Sequence, residues 1–217
     1  MRNKVEFFGR EFMVSPDVLM PRPETEAAVE IVLSLAGKPY LSGVKVPSSV
    51  LPSRPRILDV GTGSGCIATT LKLELPDAEV FACDISGKAL EIAKKNAEKL
   101  GASIQFERSD LLQEYRGDGR ERSAERKCDK FDVIVANLPY VDRSWPWISG
   151  VENEPDVALY AEDRGLEIIF KLMEQAYDMT QYLILEADPC QHERIIGYSN
   201  KYDLIRISGY QLLLKVK

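Results

Sequence analysis

From Arg56 onward, short apolar runs rich in Val, Ile and Leu alternate with longer amphipathic stretches. A parallel sheet covered by helices on both faces needs this alternation, because its strands are buried on two sides and its helices on one. The runs predict strands over residues 56–60, 79–83, 104–107, 131–136 and 182–186. The amphipathic stretches predict helices over about 66–73, 88–100 and 164–177, with another over 191–199 after the last of these strands. Residues 203–207 and 211–216 read as a closing antiparallel hairpin turned at Ser208-Gly209-Tyr210. Ahead of the sheet, residues 5–14 read as two short strands around Gly9-Arg10. The prolines Pro21 and Pro23 then force an extended lead-in, and Pro23, Glu24 and Glu26 suit the first turn of a helix that stops at Gly37. The expected organisation is one domain: hairpin and helix over 1–37, a Pro/Ser/Gly-rich linker over 38–55, and the alternating strands and helices over 56–217.

Composition narrows the possibilities. The chain has 217 residues, enough for a sizeable core, with 45% hydrophobic and 29% charged residues, as in ordinary globular chains. No apolar run approaches the length of a membrane span, and Met1 to Glu6 contain no apolar signal segment, so a cytoplasmic location is the expectation. Cys66, Cys83, Cys128 and Cys190 lack Cys-x-x-Cys spacing and His192 is the one histidine, so no zinc site is legible. A nucleophilic pair of Cys190 and His192 is conceivable and is not favoured. The net charge of −6 gives no basic footprint, which weakens a nucleic-acid reading. Residues 116–127 mix charges without apolar residues and read as a solvated loop.

Two motifs carry the chemistry. Asn137-Leu138-Pro139-Tyr140 follows the apolar strand 131–136 directly. Its amide oxygen and a backbone carbonyl near the proline can accept hydrogen bonds from a substrate NH2, while the Tyr ring stacks on the flat group bearing that nitrogen. Asp59-Val60-Gly61-Thr62-Gly63-Ser64-Gly65 joins another apolar strand to a helix. Glycines let backbone approach a ligand closely, and a helix N-terminus favours negative charge. Asp84, at the end of the next strand, stands where a carboxylate meets ribose hydroxyls.

The Gly-rich turn resembles motif I of class I S-adenosylmethionine methyltransferases. With Phe8-Gly9-Arg10-Glu11-Phe12, Val18 through Glu26 and Asn-x-Pro-Tyr, it is similar to the HemK/PrmC-type glutamine N5-methyltransferases. Glu154-Pro155, Ala158-Leu159, Gly165-Leu166, Leu185-Glu186 and Gln191 follow in the same family order. The resemblance implies a Rossmann-like α/β fold, a mostly parallel sheet with a C-terminal antiparallel hairpin, and S-adenosyl-L-methionine as cofactor. It also implies a peptide-chain release factor as partner, methylated on the glutamine of a Gly-Gly-Gln motif. The family usually reads Asn-Pro-Pro-Tyr, and Leu138 makes this form similar to ribosomal RNA adenine dimethyltransferases too. The family also carries an N-terminal helical domain that helps hold the release factor, whereas few residues precede the hairpin here.

On this reading Asn137, Leu138, Pro139 and Tyr140 orient the acceptor. Asp59, Gly61, Thr62, Gly63, Ser64, Gly65, Asp84, Asp110, Leu111 and Asn137 hold the cofactor, with Asp110-Leu111 at the adenine. Arg22 and Glu24 shape the substrate side, and Trp145-Pro146-Trp147 form a lid or simple packing. No metal is expected. The alternatives are an adenine N6-methyltransferase acting on nucleic acid and a non-catalytic cofactor-binding module.

Overall fold

The computed structural model describes residues 4–38, 50–116, 130–145 and 154–217. The 117–129 segment, most of the linker and Pro146-Trp147 lie outside the described residues.

Five apolar runs form parallel strands: β3 (Arg56–Val60), β4 (Glu79–Asp84), β5 (Gln105–Arg108), β6 (Phe131–Ala136) and β7 (Thr180–Glu186). They join β8 (Tyr202–Ser208) and β9 (Gln211–Val216) in the order β5-β4-β3-β6-β7-β9-β8. β9 runs antiparallel to both β7 and β8, so the closing hairpin caps one side of the sheet as expected. β1 (Lys4–Phe7) and β2 (Arg10–Met13) pair separately through a tight turn at Phe8-Gly9. The helices are α1 (Glu26–Leu35), α2 (Cys66–Glu74), α3 (Gly87–Leu100), α4 (Gln113–Arg116), α5 (Asp156–Leu159), α6 (Glu162–Gly165), α7 (Glu167–Ala176) and α8 (His192–Tyr198).

Successive side chains on a strand point to opposite faces, and each face has its own core. Ile57, Val80, Val133 and Ile184 pack beneath α1 and α2, and the hairpin residues Phe7 and Phe12 join that cluster. Leu58, Phe81, Ile134 and Leu183 pack on the other face against Leu172 and Met173 of α7 and Ile195 of α8. The N-terminal hairpin and α1 therefore contribute to the same core as the sheet.

The chain runs outward from β3 to β5, then crosses back to β6 on the other side of β3. Ligands bind at such a reversal, beyond the carboxyl ends of the strands. Register sharpens the point. Val60 pairs with Cys83 on one side and with Ala136 on the other. Gly61, Asp84 and Asn137 are the next residues, so three distant parts of the sequence emerge side by side.

Most expected elements lie within two residues of their observed bounds, but the helix expected over 164–177 is shorter. Asp163, Arg164 and Gly165 have φ of 49°, 56° and 80°, so the backbone turns left-handed and α7 begins only at Glu167. The cause is tertiary: Gly165 lies directly against the Tyr140 carbonyl. A register shift between Leu204 and Arg206 also bulges β8, which the apolar pattern does not announce.

Candidate active site

At the end of β3 the chain turns through Gly61 and Gly63, whose φ values of 73° and 54° L side chains rarely adopt. A Cβ on Gly61 would lie 2.8 Å from Leu138 Cδ2, so glycine here lets the Asn-Leu-Pro-Tyr segment close over the turn. Gly65 serves another purpose. Its Cβ would meet Ala93 Cβ at 2.9 Å, and it does not line the cavity described below. Glycine at this position lets the start of α2 pack closely against α3.

Asp59 is likewise not a wall residue. It is 1% exposed, and its Oδ2 accepts from the Thr62 hydroxyl at 2.6 Å and from the Ala68 amide at 3.1 Å. Burial raises its carboxyl from the ordinary 3.8 to about 7. Asp59 thus braces the turn and the first turn of α2 from beneath. Thr62 and Ser64 line the cavity, but the Thr62 hydroxyl points down to Asp59.

Asp84 closes the opposite wall. One carboxylate oxygen accepts from the Gly63 amide at 2.9 Å, the other from the Ser86 amide at 2.8 Å. Each oxygen keeps lone pairs for a ligand. Burial raises the Asp84 carboxyl, and the two amides pull it back toward the charged form. Next to it Ile85 is 53% exposed, an apolar surface presented to the cavity that sequence reasoning missed. Asp110 and Leu111 face it from beyond the end of β5; Leu111 holds a left-handed φ of 51°, a strained backbone of the kind that gathers at ligand sites. These residues enclose about 380 Å³, within the range of small-molecule sites.

Asn137 stands at the inner wall of this cavity. Its Nδ2 donates to the Thr25 hydroxyl oxygen at 3.0 Å, which turns its carbonyl oxygen away from Thr25. Leu138 is buried with its side chain on Gly61, so what it can offer an acceptor is backbone. Tyr140 points into a neighbouring cavity of about 640 Å³, which shares Leu19, Arg22, Leu138 and Ala158 with the first. Glu24, Trp145, Glu186, Asp188, Cys190 and Tyr210 also line the second cavity. Arg22 lies between the two and is held by Glu154, with Nη2 2.8 and 2.9 Å from its carboxylate oxygens. Arg22 thus lines both cavities and Glu24 the second.

Thr25 and Glu186 are further residues missed as site members. Glu186 ends β7, 3% exposed, and accepts from Gln211 Nε2 at 2.7 Å, with the Tyr140 hydroxyl looser at 3.4 Å. Nothing local marks either: Thr25 reads as a helix-start residue and Glu186 as a strand end. The Cys190–His192 pair does not form, since buried His192 directs Nε2 to the Ala187 carbonyl at 3.1 Å. Burial pushes the Cys66 thiol up to about 12, which leaves it a neutral wall residue.

Sheet order and cavity together define a class I S-adenosylmethionine-dependent methyltransferase fold. Residues 52–183 match the family model described as a methyltransferase domain, and the chain belongs to that family. It is 43% identical over 178 residues to a release factor glutamine methyltransferase of Koribacter versatilis, covering 80% of this chain and 55% of that protein. A release factor glutamine methyltransferase of Neisseria gonorrhoeae is 39% identical over 83% of this chain and 59% of its own length. The chain thus spans little more than half the length of these curated relatives. Among solved structures, the ribosomal protein L11 methylase of Lactobacillus delbrueckii subsp. bulgaricus superposes with TM-score 0.57 at 21% identity, over 94% of this chain and 84% of its own. The hMettl16 catalytic domain, solved with an RNA hairpin, gives 0.62 at 16% identity, over 97% and 76%. One neighbour is named for a protein substrate and the other was solved with RNA, so the shared fold leaves the acceptor open.

Proposed function

We propose that this chain transfers a methyl group from S-adenosylmethionine to the side-chain nitrogen of a protein glutamine, that of the Gly-Gly-Gln motif in a peptide-chain release factor. The observation that carries this reading is the placement of Asn137. Its amide is held by Thr25, from the Pro21–Glu26 segment, in the wall of a cofactor-sized cavity, and the next residue, Leu138, is shared with a neighbouring acceptor-sized one. The similarity to release factor glutamine methyltransferases supports the choice of acceptor.

The residues present fit the cofactor. Asp84 offers paired lone pairs to vicinal hydroxyls, while Ile85 and Leu111 offer apolar faces to a planar base. Cys66 and Ile67, in the first turn of α2, line the cavity, so the positive end of that helix suits a ligand carboxylate, with its Ala68 amide already held by Asp59. When bound there, S-adenosylmethionine supplies a methyl group on a positively charged sulfur.

The chain's own residues then prepare the acceptor. A carboxamide nitrogen is a weak nucleophile because its lone pair is delocalised into the carbonyl. The Asn137 carbonyl oxygen and a main-chain carbonyl of Leu138 or Pro139 accept its two N–H bonds, favouring a pyramidal nitrogen with its lone pair toward the first cavity. Orientation supplies most of the rate enhancement. The proton lost by the nitrogen passes to water, so no strong base is required. Leu19, Leu138 and Ala158, with Arg22, are common to both cavities, so the passage between them is mostly apolar with one cation held by Glu154.

Charge disfavours nucleic acid as the acceptor. Among the described residues lining the second cavity, Glu24, Glu186 and Asp188 are acidic, and Arg22 is tied to Glu154. A phosphate backbone would meet repulsion there. We read the chain as one domain working in the cytoplasm; among the described residues, no helix is long and apolar enough to cross a membrane.

Asp84→Ala tests the cofactor half of the reading. Loss of a charged acceptor for ribose hydroxyls costs roughly 1.5–3 kcal/mol, about one to two decades of affinity. Calorimetric titration with S-adenosylmethionine should read that loss in a chain that stays folded, and unchanged affinity would sink the cofactor assignment.

A further inference from the structure

Gln191 is 3% exposed, and half of its side chain does ordinary helix-start chemistry. Its Oε1 accepts from the Asp188 amide at 3.0 Å and completes a capping box. That bond uses only the oxygen, whereas a carboxamide also carries two N–H donors. Here Nε2 donates to the Tyr140 carbonyl at 2.8 Å and to the Arg164 carbonyl at 2.8 Å. The amide cannot be reversed, because its NH2 would then face the Asp188 N–H and its oxygen would face two carbonyls.

Both carbonyls belong to segments around the second cavity. Tyr140 closes the Asn137–Tyr140 stretch and lines that cavity, with Asp188 and Cys190 from the helix start itself. Arg164 lies in the turn Asp163-Arg164-Gly165, whose φ values of 49°, 56° and 80° put three left-handed residues in succession. Two of them carry Cβ atoms, and such a backbone persists only where its surroundings hold it. Gln191 holds it from one side, and Arg194 from another through Asp163 Oδ1 at 3.0 Å. The other end of the stretch is tied by the Asn137–Thr25 bond. Two side-chain amides therefore fix the four residues at both ends, with Leu138 and Pro139 between them.

We infer that Gln191 is a positioning residue for the methyl acceptor: acting through the Tyr140 main chain, it holds the Tyr140 ring and the Leu138 and Pro139 carbonyls in place beside the Asn137 amide. Gln191 itself lines neither cavity, so it acts through these residues and not by contact. The clamp is a matter of geometry; its consequence for methyl transfer rests on the proposed function.

Gln191→Met removes all three bonds at nearly constant volume. With saturating cofactor and a Gly-Gly-Gln peptide, turnover per folded chain is expected to fall about tenfold or more and the KM for the peptide to rise, while cofactor affinity stays within about threefold. A residue needed only for stability would lower the folded fraction and leave turnover per folded chain unchanged. That result, or an equal loss in cofactor affinity, would overturn the inference. In an Asn137→Ala background the same change should add less than about twofold, because an acceptor already unoriented has little more to lose. The full effect in that background contradicts the clamp.

Should Gln191→Met not fold, the unaltered chain decides by NMR. Hydrogen-bond scalar couplings are expected from the Gln191 side-chain nitrogen to the Tyr140 and Arg164 carbonyl carbons, and binding of the peptide should shift the Gln191 NH2 signals. A missing coupling to Tyr140, or NH2 signals indifferent to bound peptide, is fatal. If the unaltered chain does not methylate the peptide, the glutamine reading fails, and the couplings alone decide the clamp.

Discussion

Asn137→Ala is expected to lower turnover at saturating substrates by roughly a hundredfold, the scale on which a misplaced reactant costs rate. Cofactor affinity should stay within about threefold, because the ribose, base and carboxylate contacts proposed above use Asp84, Ile85, Leu111 and the start of α2. The fold should survive, since Asn137 is only partly buried. Rapid-quench measurement of methyl transfer, with calorimetry of cofactor binding, separates the two quantities. A loss of this form marks an interaction made in the transition state rather than in cofactor binding. Turnover preserved within about threefold would mean that another residue orients the acceptor.

Gly165→Ala is expected to be the most damaging single change outside the cavities. Its Cβ would lie 2.6 Å from the Tyr140 carbonyl carbon and 2.7 Å from Gln191 Nε2, and closer still to the Tyr140 oxygen. Gln191 Nε2 donates to that same oxygen at 2.8 Å and to the Arg164 carbonyl at 2.8 Å, so neither neighbour can yield without breaking one of these partly buried bonds. The left-handed φ of 80° adds strain for any residue with a Cβ. Overpacking and backbone strain together predict a loss of about 2–5 kcal/mol. Gly209→Ala provides the comparison: its φ is 59° with nothing within 4 Å of the new Cβ, so it should cost only about 1–2 kcal/mol. Urea denaturation of both variants reads the difference. A Gly165→Ala chain as stable as Gly209→Ala would contradict the packing described here.

These two sites also show how far the sequence could be read. Asn137 was legible because its cues are local: an apolar strand, then an amide, a proline and an aromatic ring in succession. Asp84 and the Gly61–Gly63 turn were legible for the same reason, each being the residue that follows a buried run. Gly165 was not, since the apolar pattern continues through 164–177 and the left-handed turn exists only to pass the Tyr140 carbonyl. Gly65 shows the converse. It sits in the right spacing for a ligand contact, but the same spacing serves close packing against Ala93, and sequence cannot tell the two apart. Thr25 lies 112 positions from Asn137 and meets it only in the folded chain, and Glu186 reaches the neighbouring cavity because β7 lies beside β6.

The measurement that tests the central claim most directly is transfer of an isotopically labelled methyl group. The chain is incubated with S-adenosylmethionine and, in parallel, with a release factor carrying Gly-Gly-Gln and with ribosomal RNA. Mass spectrometry of the digested products is predicted to find one added methyl on that glutamine, abolished when the glutamine is replaced, and no label in RNA. Label in RNA adenine with none in the release factor would contradict the account.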